Sequence, residues 1–307
     1  MYDIIVVGGG PAGMTAALYA LRNGKTALVI EKTGFGGQIT HSPKVENYPG
    51  TMQMSGNEFA DHTLEQILAQ GAEIEFEKVI SVEDRGSFKV VVTEEGGLYE
   101  AHAVVLATGV KHRMLGLEGE NELVGEGISF CAVCDGDFYA GKIVCVAGGG
   151  NSALQEALLL SNKCREVVIL QDLPKCTGEQ KLQDLLFARP NVRLITETKL
   201  ARLLTNADGL TGVEVESRVN GEKQIVACDG LFVAIGLIPE NEPFAALAEL
   251  NSYGYFDSDE RCLTRTPGVY VAGDCRSKGV RQLTTAVADG ATAALAACRY
   301  IDEISHD

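Results

Sequence analysis

Apolar positions fall into two patterns along this chain. Short unbroken apolar runs, of a length suited to buried strands, alternate with stretches whose apolar residues recur every three to four positions, the period of a helix packed on one face. Residues 3–7, DIIVV, are the first run. The glycine-rich turn GGGPAG follows, then MTAALYALRNG with helical spacing, then the run TALVIEK. Strand, turn, helix and strand in this order predict a βαβ unit with parallel strands.

The order begins again at residues 143–147, IVCVA, followed by GGGNSA, the helical LQEALLLSN and the run EVVILQD. Both copies take the same number of steps from first glycine to strand end, Gly8 to Glu31 and Gly148 to Gln171. This internal repeat predicts two Rossmann-like nucleotide-binding domains in an α/β fold. FKVVVTEE and AVVLATG are expected to close the first, GVEVESRV and GLFVAIG the second. The tail holds GVYVAGDC and the Ala-rich RQLTTAVADGATAALAACRYI, one strand and one long helix. That is too little for a third domain, so the chain is expected to return and complete the first. The expected division is 1–113 with 245–307 as one domain, interrupted by 114–244. A length of 307 residues suits two domains.

Composition narrows the function classes. A net charge of −16 argues against nucleic acid and anionic membrane surfaces as partners. No apolar run approaches the roughly 20 residues of a membrane span. The start lacks a basic segment ahead of its apolar run, so it reads as a strand rather than a signal peptide, and a cytoplasmic location is expected. An odd count of nine cysteines does not suggest a secreted disulfide scaffold. Seven of them sit in apolar surroundings and are expected to be buried; the pair Cys131 and Cys134 stands apart.

Two stretches carry chemistry. In Gly8-x-Gly10-x-x-Gly13 the glycines permit a tight turn, close backbone approach to a pyrophosphate and close helix–strand packing, with the helix N-terminus facing the phosphates. Glu31, ending the next strand, is placed to accept ribose hydroxyls. The second stretch is CAVCDG, residues 131–136. Half a zinc site is one reading, but a closed site needs four ligands and no second pair offers them. Two buried thiols is another. Asp135 beside the pair, just ahead of a nucleotide-binding unit, favours a redox disulfide with a carboxylic acid to supply protons. His41, His62, His102, His112 and His306 form no constellation, and EGENELVGEG reads as a solvated loop.

With these motifs the chain resembles the low-molecular-weight thioredoxin reductase family over essentially its whole length. The motifs are GGGPAGMTAALYA, GGQI, VENYPG, ATG at 107–109, CAVCDG, GGGNSALQEA, FVAIGLIPEN and AGDC…RQ. The resemblance implies FAD in the first domain, a redox disulfide on the second, a homodimer, a thioredoxin as acceptor, and rotation of the second domain between working states. It assigns Gly8, Gly10, Gly13 and Glu31 to the ADP half of FAD. Gly37, Gln38 and Asn47 would line the flavin, and Thr108 and Gly109 form a turn near it. Asp274 would meet the ribityl–phosphate region, and Arg281 and Gln282 the isoalloxazine. Cys134 is implied to lie next to the flavin, Cys131 to attack the acceptor disulfide, and Asp135 to be the acid.

One segment departs from the family. NADPH-dependent members carry arginines at the positions that here read Asp172, Leu173 and Thr177, after Gln171. Without those cations the 2′-phosphate of NADPH loses its charge-assisted bonds. NADPH is therefore expected not to bind, and reduced ferredoxin or another protein donor is the preferred reading, similar to ferredoxin-dependent flavin thioredoxin reductases. Lys111, Arg113, Arg276 and Lys278 are candidates for a local basic patch that would dock an acidic ferredoxin. The alternative is NADH, its ribose read by Asp172, with NADPH as a residual possibility. A non-enzymatic redox-sensing flavoprotein is a third reading, against which the intact CAVCDG argues.

Overall fold

The computed structural model describes residues 1–42, 44–207 and 209–304; His306 lies outside them. The chain divides into two compact units, residues 1–111 with 238–307 and residues 112–237.

In the first unit, β1 (Tyr2–Val7), α1 (Pro11–Arg22) and β2 (Ala27–Ile30) form the expected βαβ repeat. After α2 (Gly56–Ala69) come β3 (Glu73–Glu75), β4 (Val79–Asp84), β5 (Lys89–Thr93) and β6 (Leu98–Leu106). The sheet runs β3-β2-β1-β6-β5-β4. Its β3, β2, β1 and β6 are parallel, and the β4–β5–β6 end is antiparallel. Alternation along β1 sends Ile4 and Val6 to one core and Ile5 and Val7 to the other, so both faces of the sheet are covered.

The second unit contains β8 (Ile128–Ser129), β9 (Ile143–Ala147), β10 (Glu166–Leu170), β11 (Val192–Ile195) and β15 (Gly230–Val233), in the parallel order β11-β10-β9-β15-β8. β12 (Thr198–Asn206), β13 (Gly209–Ser217) and β14 (Lys223–Ala227) make a separate antiparallel sheet. Its helices are α3 (Glu120–Leu123), α4 (Ala132–Asp135), α5 (Asn151–Ser161) and α6 (Gln180–Phe187). The core alternates as in the first unit, with Val144 and Val146 on one face and Cys145 and Ala147 on the other. Short strands at the crossings, β7 (Lys111–His112) and β16 (Leu237–Ile238), pair as a two-stranded ladder.

The chain then returns. β17 (Val269–Val271) pairs in parallel with the C-terminal end of β6, and α7 (Leu283–Ile304) packs on α1. The second crossing falls at 237/238 rather than the expected 244/245, because Phe244, Leu247 and Ala248 already belong to the core of the first unit. The first falls at 111/112 rather than 113/114.

EGENELVGEG was expected to be a solvated loop, and Glu120 overturns that in part. Its side chain is buried, and its carboxylate accepts from the N–H groups of Leu115, Gly116 and Leu117 at 2.8, 2.7 and 3.3 Å. Of the histidines, His112 stacks on Phe130 with ring centroids 4.3 Å apart, a packing role. The seven cysteines outside CAVCDG are all buried and free. Among the described residues no helix is long and apolar enough to cross a membrane, and no cluster of three metal-binding side chains occurs.

Candidate active site

In the first unit the glycine turn is built as its sequence requires. Gly8 adopts φ +109°, and Gly148 at the same place in the second unit adopts +119°. A Cβ on Gly13 would lie 1.9 Å from the Gly8 carbonyl oxygen, so only glycine lets α1 approach the turn. Gly10 caps α1 with no side chain satisfying its first N–H groups, and a Cβ there would meet nothing within 4 Å. Open space over a bare helix N-terminus is what a pyrophosphate needs. Glu31 is buried, accepting from the Gly9 N–H at 2.7 Å and the Thr33 N–H at 2.9 Å. A carboxylate has acceptor sites beyond these for ribose hydroxyls.

The remaining candidates of this unit fall into three groups. Asp274 follows β17 in a short 3-10 turn; burial pushes its carboxyl up, with Lys278 and Arg281 opposing, and its Oδ1 has no hydrogen-bond partner. A buried acceptor without a hydrogen-bond donor is suited to take a ligand hydroxyl. Arg281 lies over the Tyr255 ring, 4.3 Å from its centroid, and its Nε donates to the Asp274 backbone oxygen at 3.2 Å. Gln282 accepts from Asn47 Nδ2 at 3.2 Å, joining two candidates far apart in sequence. Thr108 donates to Asn241 Oδ1 at 2.7 Å, just before Gly109 at φ +64°. Gly37 and Gln38 start a 3-10 turn, and Gln38 is exposed. The open helix start, the acid after β2 and the orphaned Asp274 oxygen fit FAD. Sequence reasoning missed Asn241, whose Nδ2 ties down the backbone oxygens of Gly254 and Cys275.

In the second unit Cys131 and Cys134 are joined as a disulfide, Cα atoms 5.3 Å apart, at the start of α4. The Cys134 N–H points at Cys131 Sγ, 3.1 Å away. Asp135 is mostly buried, and burial pushes its carboxyl up against the pull of the Ser129 hydroxyl, which donates to Oδ2 at 2.6 Å. Cys131 N–H donates in turn to Ser129 Oγ at 3.1 Å. Asp135 Oδ1 has no partner. A carboxyl group favoured in its neutral form beside a disulfide can supply a proton to a departing sulfur. Glu156 of α5 is a second such acid: burial first, and the Asp135 charge second, push it up to about 8. Ser129 and Glu156 were not singled out from the sequence. Glu156 had a legible signal, an acid on the α5 stripe that buries Ala153, Ala157 and Leu160.

The end of β10 differs from its sequence reading. Gln171, the counterpart of Glu31, is buried against Gly149 and spends its amide within its own loop, donating to the Lys175 oxygen at 3.1 Å and accepting from the Asp172 N–H at 3.1 Å. Asp172 is half-exposed and paired with Arg218 at 3.1 Å. An arginine does therefore stand beside this strand end, supplied by the turn after β13 rather than by the segment itself. The proposed basic patch does not survive in its expected form. Arg276 is buried and pairs with Asp289 at 2.7 Å, Lys278 pairs with the same carboxylate at 3.0 Å, and Lys111 pairs with Glu240 at 2.8 Å. Arg276 and Lys278 serve the fold around Asp289, not a docking face.

Residues 2–290 match the family model described as pyridine nucleotide-disulphide oxidoreductase. A thioredoxin reductase of Listeria monocytogenes is 38% identical over 304 residues, covering 99% of this chain and 95% of the relative. A "34.2 kDa protein in rubredoxin operon" of Clostridium pasteurianum is 38% identical over 300 residues, with 97% of each covered. The crystal structure of thioredoxin reductase from Streptococcus pyogenes superposes with a TM-score of 0.93 at 36% identity, with 99% of each chain covered. These relatives lend no support to a ferredoxin donor, and the nucleotide in the family's description runs against the expectation that NADPH is not bound; the nicotinamide alternative fits them better. The chain belongs to the pyridine nucleotide-disulphide oxidoreductases and, within them, to the low-molecular-weight thioredoxin reductases.

Proposed function

We propose that this flavin-dependent thioredoxin reductase takes its electrons from a nicotinamide dinucleotide, NADH in preference to NADPH, and passes them through Cys131–Cys134 to a thioredoxin. The observation that carries the choice of nucleotide is Asp172, a half-exposed carboxylate at the end of β10, beside the second glycine turn. An acid at this place accepts both ribose hydroxyls of NADH and repels a 2′-phosphate. Arg218 pairs with that carboxylate at 3.1 Å and answers it charge for charge.

In the first unit, Gly8, Gly10 and Gly13 would cradle the pyrophosphate, Glu31 the ribose, and Asp274 the ribityl–phosphate region. Gly37, Gln38, Asn47, Thr108, Gly109, Arg281 and Gln282 would line the flavin. When bound, FAD supplies two-electron storage between donor and disulfide. Cys134 would be the sulfur that takes electrons from that group. Asp135 hands a proton to the departing sulfur, and Cys131 attacks the thioredoxin disulfide as a thiolate. The resemblance further supports a homodimer, which sedimentation equilibrium checks directly.

A second reading, reduced ferredoxin as donor, is favoured by one observation. The family's arginine positions hold Asp172, Leu173 and Thr177, and Leu173 presents an exposed apolar side chain there. Anaerobic mixing of the FAD-loaded protein with NADH, NADPH or reduced ferredoxin, followed by flavin absorbance, separates the readings. Rapid bleaching by NADH, weakened about tenfold or more in Asp172→Ala, is the expected result. Bleaching by ferredoxin alone would replace it with the second reading.

A further inference from the structure

Two carboxyl groups in the second unit each bury one oxygen that has no hydrogen-bond partner. Asp135 Oδ1 and Glu156 Oε2 both lack a hydrogen bond, on helices α4 and α5 that pack together. Buried carboxyl oxygens left without donors are uncommon, and two neighbouring acids cannot both carry charge out of water. We propose that Glu156 is a positioning residue for the disulfide's acid: it shares a buried proton with Asp135 and delivers it through Asp135 as the disulfide is reduced. The inference rests on the reading of the chain as a flavin-dependent disulfide reductase.

The surroundings leave Asp135 as the charge that acts on Glu156. β9, packed against α5, is wholly apolar. On β10, Glu166 is held by Arg193 at 3.1 Å. On α6, Lys181 and Asp184 are exposed. In the turn after α4, Asp137 is exposed and paired with Lys163 at 2.5 Å. Tyr139 is pushed up to about 12, by burial first and then by Asp135, and stays neutral. Glu156, pushed up to about 8 by burial and by Asp135, is thus the protonated member of the pair at neutral pH.

The step balances. Two electrons entering the disulfide break the Cys131–Cys134 bond and leave one thiolate and one thiol. The shared proton passes from Glu156 through Asp135 to the thiol, and Glu156 is recharged from solvent. Ser129, donating to Asp135 Oδ2, leaves Oδ1 as the oxygen that exchanges the proton.

The test uses the full-length FAD-loaded protein, its flavin reduced by one equivalent of dithionite so that the natural donor does not enter. The rate at which oxidised thioredoxin gains thiols in a single turnover is followed from neutral to alkaline pH. Glu156→Gln is expected to slow the step about tenfold. The alkaline limb of its profile should move to lower pH by about one unit, because the group that holds the shared proton up to about 8 is gone. Glu156→Asp should recover part of the rate. A Glu156→Gln profile identical to wild type overturns the inference while leaving the reductase reading intact. A wild type that yields no thioredoxin thiols overturns both. Should Glu156→Gln fail to fold, infrared difference spectroscopy of the wild type decides instead. A protonated-carboxyl C=O band that changes on disulfide reduction at neutral pH supports the inference, and its absence overturns it.

Discussion

Glu120 shows what one acid can hold. Three consecutive backbone N–H groups, on Leu115, Gly116 and Leu117, converge on its buried carboxylate. Glu120→Ala would strand those donors, and a loss of about 2–3 kcal/mol is expected, read as a drop of several degrees in thermal midpoint. Glu156 acts with the opposite sign. Its folded-state pKa, about 8, lies far above the ordinary carboxylate value, so the native state binds a proton that the unfolded state has released. Its contribution is complete below the ordinary carboxylate range and is lost as pH rises towards about 8. Melting curves should therefore show Glu156→Gln gaining on wild type as pH rises through that window. An equal pH slope in the two proteins would contradict the buried-proton assignment. The same substitution is expected to slow the enzyme, a trade of stability for chemistry that is common at active sites.

At the scale of elements, the two βαβ units were legible because strand, glycine turn and helix are written in contiguous residues. Gly13 is the clearest case, since the 1.9 Å approach of its absent Cβ to the Gly8 oxygen follows from the turn alone. Gly13→Ala should displace α1 from β1 and release most of the FAD, measured as the flavin-to-protein absorbance ratio after purification; full retention would contradict the assignment of this turn to the pyrophosphate. Long-range pairings were not legible. Arg218 meets Asp172 across 46 positions and Arg276 meets Asp289 across 13, and neither spacing belongs to a local pattern. That is why the end of β10 read as stripped of arginine, and why Arg276 and Lys278 read as free cations. The Glu120 carboxylate was misread for a related reason: its donors are N–H groups, which leave no mark in side-chain composition. Ser129 lies only two residues before Cys131, yet it became visible only through its hydrogen bonds to Asp135 and the Cys131 N–H.

For the whole molecule, the chain crosses from the first unit to the second and back, so one continuous sequence yields a discontinuous domain. The first unit carries the FAD candidates and the second carries the disulfide with its two acids. The central claim is that electrons leave by Cys131. Thiol titration of oxidised thioredoxin after incubation with the reduced, FAD-loaded protein tests it most directly. Wild type should generate two thioredoxin thiols for each pair of electrons supplied, and Cys131→Ser should generate essentially none although its flavin is still reduced. Equal thiol yields from the two proteins would contradict the account.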